Sequence, residues 1–450
     1  MVGWSGRRRA RSTIAMAIVA GTISLVAAAT PAGGRLDGGD RSWPGTLDRR
    51  FGHDGIALTD HAGGGDSARD VLVQPDGAIV AVGTRVVAGE PLTDGMAVAR
   101  YDRRGRLDRR FGNGGRVATD FGGGVEIAEA VLRQRDGKIV AAGSAWNPNG
   151  LAPDFAIARY QHDGRLDPTF GDGGTVTTSI LENDFATSAA LQRDGRILVA
   201  GYAERPPEGY ASAVIVRYTT DGKLDPTFGE GGIVVTQFLD EDRSNAWIED
   251  IAVAPDGTIV AAGLAARLDR ADWGVARFRA DGTLDPRFGE GGVATVDTTL
   301  NFERATGVAL SPDGGITLLG AVDNTWNLAR LRPDGTLDPR FGDGGIVRAG
   351  IVGDPYDIAI QPDRRIVVSG RTSPSGNDYD ATVARFRRDG TIDTSFGTNG
   401  VATTDVAGGT QDANAVALQR DGDIVVAGTS EPYGTPTGTG ADFLVARYHG

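Results

Sequence analysis

The sequence predicts an all-β protein: a closed β-propeller of seven blades, with four antiparallel strands in each blade. Three observations support this fold class. A short motif recurs seven times, a hairpin pattern lies between successive copies, and incomplete units at the two chain ends add up to one complete unit. A repeated four-stranded unit favours a ring, because radial closure leaves only short, protected sheet edges.

The recurring motif is Leu-Asp-x-x-Phe-Gly, with Ile in place of Leu in the last copy. A glycine-rich corner and a short β-branched run follow it, as at 175–178, and together they predict the fourth strand of each unit, strand D. The copies begin 53 to 60 residues apart, at Leu47, Leu107, Leu166, Leu224, Leu284, Leu337 and Ile392.

Three further strands are predicted between successive motifs. Two apolar runs separated by an Asp-Gly pair, as at 250–263, predict a hairpin of strands A and B. A third apolar run, as at 274–278, predicts strand C. All three are nearly continuous in Val, Ile, Leu and Ala, which is typical of strands that neighbouring sheets cover on both faces.

The chain ends decide between a ring and an open solenoid. The first unit holds only strand D, at 47–59, and the last holds only strands A, B and C, at 413–448. We therefore predict that the N-terminal strand D pairs with the C-terminal strand C and closes the ring. An open array would instead need polar caps at its ends.

The residues before the first motif predict export. Residues 1–29 combine Arg7, Arg8 and Arg9 with an apolar run and an Ala27-x-Ala29 pattern, which is typical of a secretory signal peptide. Residues 30–43 are then a linker, and residues 44–450 form the propeller. The apolar run is short for a membrane span and no second one follows. We expect a secreted or cell-envelope protein, with an uncleaved signal anchor as the alternative.

Composition excludes several functional classes. The net charge is −13, and it becomes −17 without the four arginines of residues 1–29. So acidic a surface repels nucleic acid and anionic lipid, and we expect neither as a partner; a monomer is the simplest expectation. Cysteine is absent, which excludes disulfides, thiolate metal sites and a cysteine nucleophile.

The motif Leu-Asp-x-x-Phe-Gly-x-x-Gly, together with the Asp-Gly hairpin, resembles the delta-60 repeat family over nearly all of residues 47–448. The resemblance implies a bacterial propeller that is secreted or surface-displayed. It implies no established reaction or ligand. The units are also similar to WD-type repeats, but Ala-Arg-Tyr or Ala-Arg-Phe stands where those repeats end in Trp-Asp.

Each unit also carries an arginine near the end of strand C, and in six units the motif aspartate follows eight residues later. Asp48 can meet Arg447 only if the ring closes. We interpret the pairs as scaffolding that anchors the C–D connection, since a feature needed in every blade is structural; seven anion or metal sites are the alternative. The arginines are Arg100, Arg159, Arg217, Arg277, Arg330, Arg385 and Arg447, and the aspartates are Asp48, Asp108, Asp167, Asp225, Asp285, Asp338 and Asp393.

The loops joining B to C and D to A should share one face of the ring, and that face carries the length variation. From the Asp-Gly turn to the arginine the separation varies between 17 and 26 residues, whereas the arginine-to-corner separation is 15 in six units. Variable loops on a rigid scaffold are where binding usually resides. Candidate ligand-binding residues, unless they only pack their own loops, are Trp146, Tyr202, Tyr210, Trp247, Trp326, Tyr379 and Tyr433.

Strand A should line the central channel, and acidic residues lie near its start. Such acids could bind a cation such as calcium or act in acid–base chemistry, and a solvated polar mouth is the alternative. The four histidines show no metal-ligand spacing, so no other cofactor is expected. The channel-mouth acids are Asp70, Glu129, Glu249, Asp250 and Asp357.

These features predict an interaction propeller that binds a glycan, a peptide or an envelope component through its variable face. The alternative function is a hydrolase or lyase that uses the channel-mouth carboxylates, assisted by calcium if a metal is needed.

Overall fold

The computed structural model describes residues 43–87, 95–122, 124–147, 152–204, 209–239, 244–267, 270–297, 303–373, 378–406, 408–432 and 440–450. The predicted signal peptide, and the predicted linker up to residue 42, lie outside the described residues. Within these ranges the secondary structure consists of β-strands, turns and bends, without a helix. The prediction of an all-β fold is confirmed.

The first strand is β1 (Ile56–Thr59), and the next sixteen strands form four sheets of four consecutive strands each. These sheets are β2 (Ser67–Val73), β3 (Ile79–Arg85), β4 (Gly95–Tyr101) and β5 (Arg116–Thr119); β6 (Glu126–Arg133), β7 (Ile139–Trp146), β8 (Pro153–Tyr160) and β9 (Thr175–Thr178); β10 (Asn183–Leu191), β11 (Ile197–Glu204), β12 (Ala211–Tyr218) and β13 (Ile233–Thr236); and β14 (Asn245–Val253), β15 (Ile259–Ala266), β16 (Ala271–Phe278) and β17 (Val293–Val296).

The remaining strands form two sheets. One has seven strands, in the order β18 (Ala305–Leu310), β19 (Ile316–Val322), β20 (Thr325–Leu331), β21 (Ile346–Ile360), β22 (Ile366–Thr372), β23 (Asp380–Phe386) and β24 (Val401–Thr404). The other has four, in the order β1, β27 (Asp442–Tyr448), β26 (Ile424–Glu431) and β25 (Thr410–Leu418).

The seven-stranded sheet departs from the expected four-stranded pattern. Its strand β21 is 15 residues long and pairs with β20 through its first part and with β22 through its second. It therefore combines strand D of one unit with strand A of the next. The join is continuous because the D–A connection here is short, and positive φ angles at Gly350 and Gly353 let the chain turn within it.

Strands B and C are buried along nearly their whole length, as their continuous apolar runs predict. In β7, seven of eight residues are buried, and in β8 the same number are. The short D strands are less buried: β9 has two half-buried residues, one exposed residue and one buried residue. The inner strands of the unit are thus covered on both faces, and strand D forms the partly exposed outer edge.

The motif phenylalanines lie between neighbouring sheets. Phe111, for example, packs with Val80 and Val98 of one sheet and with Val131 and Ala158 of the next. Such inter-sheet packing buries each ring on both sides, so removing one would leave a large cavity. All seven rings are at most 1% exposed: Phe51, Phe111, Phe170, Phe228, Phe288, Phe341 and Phe396.

Backbone contacts join the sheets next to these rings. The amide of Gly112 donates to the carbonyl of Asp163, which lies in the C–D turn of the next sheet, over 2.7 Å. In that turn Gly164 has a φ of +86°, and a Cβ placed on it would lie 2.6 Å from the Gly112 nitrogen. No side chain fits between the two segments, because the neighbour is backbone and cannot move aside.

Gly164→Ala is therefore expected to destabilise the protein by about 3 kcal/mol or more, since a steric clash adds to the strain of a positive φ. Gly173→Ala is the matched control, because Gly173 has a φ of +62° and nothing within 4 Å of its added Cβ. It should show the strain alone, about 1–2 kcal/mol. Denaturant unfolding of both variants measures the difference, and equal losses would contradict an inter-sheet clash.

Each strand C arginine lies close to a motif aspartate. Arg159 is typical: its Nη2 lies 2.9 Å from Asp167 Oδ2, and its guanidinium lies 4.5 Å from the centroid of the Phe170 ring. Its Nη1 also donates to the Thr220 carbonyl in the C–D turn of the following sheet. One arginine thus joins an ion pair, an aromatic face and a neighbouring sheet.

Arg330 departs from this arrangement. Its Nε lies 3.8 Å from Asp338, and its Nη2 lies 3.0 Å from the half-exposed Asp313 instead. In the other pairs the shortest distances between charged atoms are 2.5 to 2.9 Å: Arg100–Asp108, Arg159–Asp167, Arg217–Asp225, Arg277–Asp285, Arg385–Asp393 and Arg447–Asp48.

The two ends of the repeat region meet in one sheet. Strand β1 pairs antiparallel with β27, so that Ile56 is opposite Ala446. Arg447 Nη2 lies 2.5 Å from Asp48 Oδ2, and the amide of Gly397 donates to the carbonyl of Pro44 over 2.9 Å. The segment before β1 therefore contacts both the sheet of β25–β27 and the turn that precedes β24.

Candidate ligand site at the channel mouth

A β-bulge at the same place in every strand A determines which side chains line a common cavity. There the register against strand B shifts by one residue, and the extra residue projects from the ladder. These side chains and their neighbours surround a cavity of about 500 Å³. The bulged residues are Arg69, Glu129, Thr187, Glu249, Thr306, Tyr356 and Asn414.

All five acids predicted at the channel mouth line this cavity. Three of them, Asp70, Asp250 and Asp357, follow a bulge and accept the backbone amide of the next inner strand. The distances are 2.7 Å from Val131 to Asp70, 2.8 Å from Val308 to Asp250 and 2.7 Å from Val416 to Asp357. These carboxylates therefore join neighbouring sheets as well as lining the cavity.

Their position makes ionisation unfavourable. Burial raises the pKa of Asp70 to about 7, against the opposing effect of its two amide hydrogen bonds, and the charges of Asp250 and Glu129 raise it further. The pKa values of Asp250 and Asp357 are also raised, chiefly by burial. All three side chains retain partial solvent exposure, because they face the cavity.

A pH dependence follows for Asp70. The folded state binds its proton more tightly than the unfolded state, so this contribution to stability is complete below about pH 4 and is lost as pH rises through 7. Asp70→Asn should lose one of the two amide hydrogen bonds at every pH. Because asparagine carries no ionisable group, the variant should not lose stability from burying a charge as pH rises. We expect the stability difference from wild type to shift by about 2 kcal/mol in favour of the variant between pH 5 and pH 8, after allowance for solvent screening.

Denaturant unfolding at the two pH values measures that shift. Asp54→Asn is the control for the substitution itself, because the Asp54 side chain is 74% exposed. An Asp70→Asn difference that stays constant between the two pH values would show that Asp70 titrates normally.

Two glutamates, Glu129 and Glu249, occupy bulge positions, and Arg304 lies one layer above this level. Glu249 Oε1 is 3.2 Å from Arg304 Nε. Glu129 has no hydrogen bond or ion pair with any described residue, although the charge of Arg69 acts on it. Burial raises the pKa of both carboxylates. Buried carboxyl groups with raised pKa values, such as those of Glu129 and Glu249, are typical of sites that transfer protons.

A row of aromatic rings lies near this cavity and ends at Trp247, which lines a neighbouring cavity. Phe185 and Tyr202 stack with their centroids 4.9 Å apart, and Tyr202 and Trp247 stack at 5.0 Å. Trp146 meets Phe185 edge-on at 6.0 Å. Burial, together with the charges of Glu204 and Glu249, raises the pKa of Tyr202 to about 12, so its hydroxyl stays protonated beside these acids.

Across the mouth, the aromatic row faces a charged group around Arg371. The Arg371 guanidinium pairs with Asp354 at 2.8 Å and Asp412 at 3.2 Å, and it lies 4.2 Å from the centroid of the Tyr379 ring. A second cavity of about 570 Å³ separates the two sides, and Trp247, Arg304, Tyr356 and Arg371 are among the residues that line it. Its combination of a flat aromatic wall with charged hydrogen-bonding groups is typical of small polar ligand sites.

The structure distributes the seven predicted aromatic residues over different environments. Trp146, Tyr202 and Trp247 belong to the aromatic row, and Tyr379 covers Arg371. Tyr210 is half-buried, apart from the row. Tyr433 lies outside the described residues.

Trp326 requires a correction, because it is 0% exposed and packs in the core with Leu319 and Phe341. It stands four residues before the strand C arginine, the place that Phe155 and Trp273 occupy in other sheets. That position points inward, so Trp326 cannot face a ligand in the variable loops.

Sequence reasoning missed Phe185, Arg304 and Arg371. Phe185 and Arg304 each stand two residues before a bulged residue, so strand alternation places them one layer above the seven bulged residues. This two-residue spacing was the sequence signal that could have identified Phe185 and Arg304. Arg371 lies directly opposite Asp354 in the β21–β22 ladder, a pairing that depends on tertiary register.

A separate acidic group lies where β1 ends. Oxygen atoms of Asp60, Asp66 and Asp442 lie within 4.8 Å of one another, close enough to hold a metal ion. Asp66 also accepts the amide of His61, and burial raises its pKa to about 6. Asp66 therefore stabilises the loop between residues 61 and 66 and also belongs to the acidic group.

None of the described segments forms a helix of the length and hydropathy that crossing a bilayer requires.

A family model described as a domain of unknown function (DUF5122) beta-propeller matches five segments: 134–170, 192–228, 254–288, 311–341 and 361–396. Each match runs from the A–B turn through strands B and C to the motif phenylalanine.

Several solved structures are similar to this chain at low sequence identity. A streptogramin B lyase is 12% identical with a TM-score of 0.51, covering 87% of this chain and 96% of that chain. A virginiamycin B lyase from Staphylococcus aureus is 11% identical with a TM-score of 0.49, covering 87% and 99%. Sqt1 from Chaetomium thermophilum is 14% identical with a TM-score of 0.41, covering 88% and 89%. No curated protein matches the chain.

Proposed function

We propose that this chain is a closed ring of seven blades that binds a glycan at the mouth of its central channel. The long strand β21 then serves two blades, and β1 completes the blade of β25–β27. Support for closure comes from the Arg447–Asp48 ion pair and from the Asn414 side chain, which donates to the Ala68 carbonyl between the last inner strand and the first.

The observation that carries the binding proposal is the aromatic row beside an open polar cavity. Tyr202 is fixed between Phe185 and Trp247, so the outer surface of Trp247 is held rigidly against the second cavity. Sugar rings stack on such surfaces through their C–H faces, while Arg304 and Arg371 offer guanidinium donors for the hydroxyl groups. A rigid platform lowers the entropic cost of binding.

Binding to a glycan array, followed by calorimetry with the best oligosaccharide, tests this proposal. Trp247→Ala should weaken binding at least tenfold, the loss expected when a central aromatic contact of a site is truncated. Trp43→Ala is the control, since Trp43 is 63% exposed and does not line the cavity. Equal losses in both variants, or recognition of peptides rather than sugars, would overturn the glycan proposal.

A hydrolase or lyase is the second candidate, favoured by Glu129 and Glu249. Their raised pKa values would let one carboxyl act as an acid and the other as a base on a bound sugar or uronate. Mass spectrometry of bound oligosaccharides after incubation would reveal cleavage, and Glu129→Gln should abolish it while binding persists. If EDTA removed this cleavage activity and calcium restored it, the reaction would also need a metal ion. The proposal assigns no metal site at the channel.

We further propose that the protein is exported, acts as a monomer in the cell envelope or outside it, and belongs with the delta-60 propellers. The basic and apolar start of the sequence and the repeated motif support this proposal. Detection of the processed protein in culture medium or envelope fractions, with its N-terminus near residue 30, is the expected result.

A further inference from the structure

One C–D connection on the face opposite the variable loops differs in charge from the others. Residues 101–110 carry five arginines and two aspartates, a net charge of +3 in a chain of −13. The five equivalent segments, at 160–169, 218–227, 278–287, 331–340 and 386–395, each have a net charge between −1 and 0. The arginines Arg103, Arg104, Arg106, Arg109 and Arg110 are all exposed.

The other copies show that the turn itself does not require these arginines. The backbone carbonyls of Arg104 and Asp163 each accept the amide of a motif glycine in the preceding sheet, so the two residues are equivalent. Five other units have aspartate at this place, and the remaining unit has Pro44. Arg109 stands where four units have proline, such as Pro168. In this turn Asp102 accepts the amides of Arg104 and Arg106, the task that Asp163 performs for Arg165 in its own turn.

The N-terminal segment adds to the same surface. The Gly52 amide donates to the Arg104 carbonyl over 2.7 Å, which brings the exposed Arg49 and Arg50 beside this turn. We name the combined surface the basic sector. Its members are Arg49, Arg50, Arg103, Arg104, Arg106, Arg109 and Arg110.

Most guanidinium groups of the basic sector are available to a partner. Arg110 pairs with Asp108 and Arg50 with Asp48, both while largely exposed. The side chains of Arg103, Arg104, Arg106 and Arg109 make no ion pair or hydrogen bond with the part of the chain that the structure describes. Two cavities, of about 890 and 740 Å³, open on either side of Arg103.

We propose that the basic sector binds an anionic polysaccharide, one that carries sulfate, phosphate or carboxylate groups. Guanidinium groups bind such anions with paired, charge-assisted hydrogen bonds, and several arginines in a row suit a repeating charge. The cavities beside Arg103 are large enough for sugar rings between the charged groups. This site is separate from the channel mouth and does not depend on the function proposed there.

A polysaccharide fits this surface better than a membrane or a nucleic acid. No large hydrophobic side chain of the described residues is exposed within the basic sector, so nothing there would insert into a bilayer. No Phe, Tyr or Trp ring of the described residues is exposed within the basic sector as a stacking surface for bases. The net negative charge of the chain repels any polyanion, but this repulsion is screened beyond about 8 Å at physiological salt, so the local arginines decide whether a polyanion binds.

The test uses the full chain with dextran sulfate, polygalacturonate and a phosphodiester-linked teichoic acid as probes, and uncharged dextran as the control polymer. A variant combining Arg103→Gln, Arg104→Gln, Arg106→Thr and Arg109→Pro removes four charges, two of them by residues that other copies carry at the same positions. The matched variant combines Arg279→Gln, Arg287→Gln, Arg332→Gln and Arg340→Gln, which removes four charges from the same face elsewhere.

Wild type should bind at least one charged polymer with an affinity that falls as salt rises, and the best polymer identifies the anionic group. The first variant should lose about tenfold or more in affinity and show a weaker salt dependence, while the matched variant binds as wild type does. Equal losses in both variants would show nonspecific charge attraction. No binding to any of the three polymers, or tighter binding to duplex DNA or to anionic phospholipid vesicles, would also overturn the proposal.

Discussion

A chain that lacks residues 43–60 is expected to lose its cooperative unfolding transition and to aggregate. The deletion removes β1 from its place beside β27 and withdraws Phe51, which is fully buried between the sheet of β25–β27 and that of β2–β4. Loss of a buried phenylalanine alone costs about 3–5 kcal/mol, a large part of the stability of a typical domain. The freed edge of β27 would then be open to pairing with another chain.

Differential scanning calorimetry and light scattering measure both effects. A synthetic peptide of residues 43–60 added in trans should restore the transition, because it can supply the missing strand. An internal control is Leu58→Asn, which changes an exposed side chain of β1 and leaves its pairing intact. A deleted chain that stays monomeric with an unchanged Tm would refute closure through this strand.

Arg159→Ala is expected to destabilise the protein by about 3 kcal/mol, which is within the range for breaking a buried ion pair. Arg159 is only 5% exposed, and its loss removes contacts to Asp167, to the Phe170 ring and to the Thr220 carbonyl together. Lys138 Nζ remains 3.0 Å from Asp167, which keeps the cost from rising further.

Arg330→Ala provides the comparison, with an expected loss of about 1 kcal/mol, because Arg330 pairs with a half-exposed aspartate and lies farther from its motif aspartate. Denaturant unfolding of both variants, together with the Arg159→Ala/Asp167→Ala double variant, separates pairing from packing. The double variant should lose less than the sum of its single changes. Strict additivity would show that Arg159 acts through packing alone.

The prediction of four-stranded units was accurate where local chemistry decides the structure. The Asp-Gly pairs do form the A–B turns, and the motif phenylalanines are buried, because turn residues and apolar runs act over a few neighbours. The same reasoning did not anticipate β21, since whether two strands merge depends on the geometry of a short connection. It also placed Trp326 on a loop, although alternation along strand C points that side chain inward.

Sequence reasoning alone was sufficient for the all-β class, the repeating unit, the residues that recur in each unit, and the acids that meet around the channel. These features follow from patterns whose spacing is read along the chain. The stack of Phe185, Tyr202 and Trp247, the ion pairs of Arg371, and the proximity of Arg49 and Arg50 to Arg104 emerged only in the tertiary structure. They join strands or turns from different parts of the chain, and such contacts depend on how sheets pack against one another, which residue spacing does not specify.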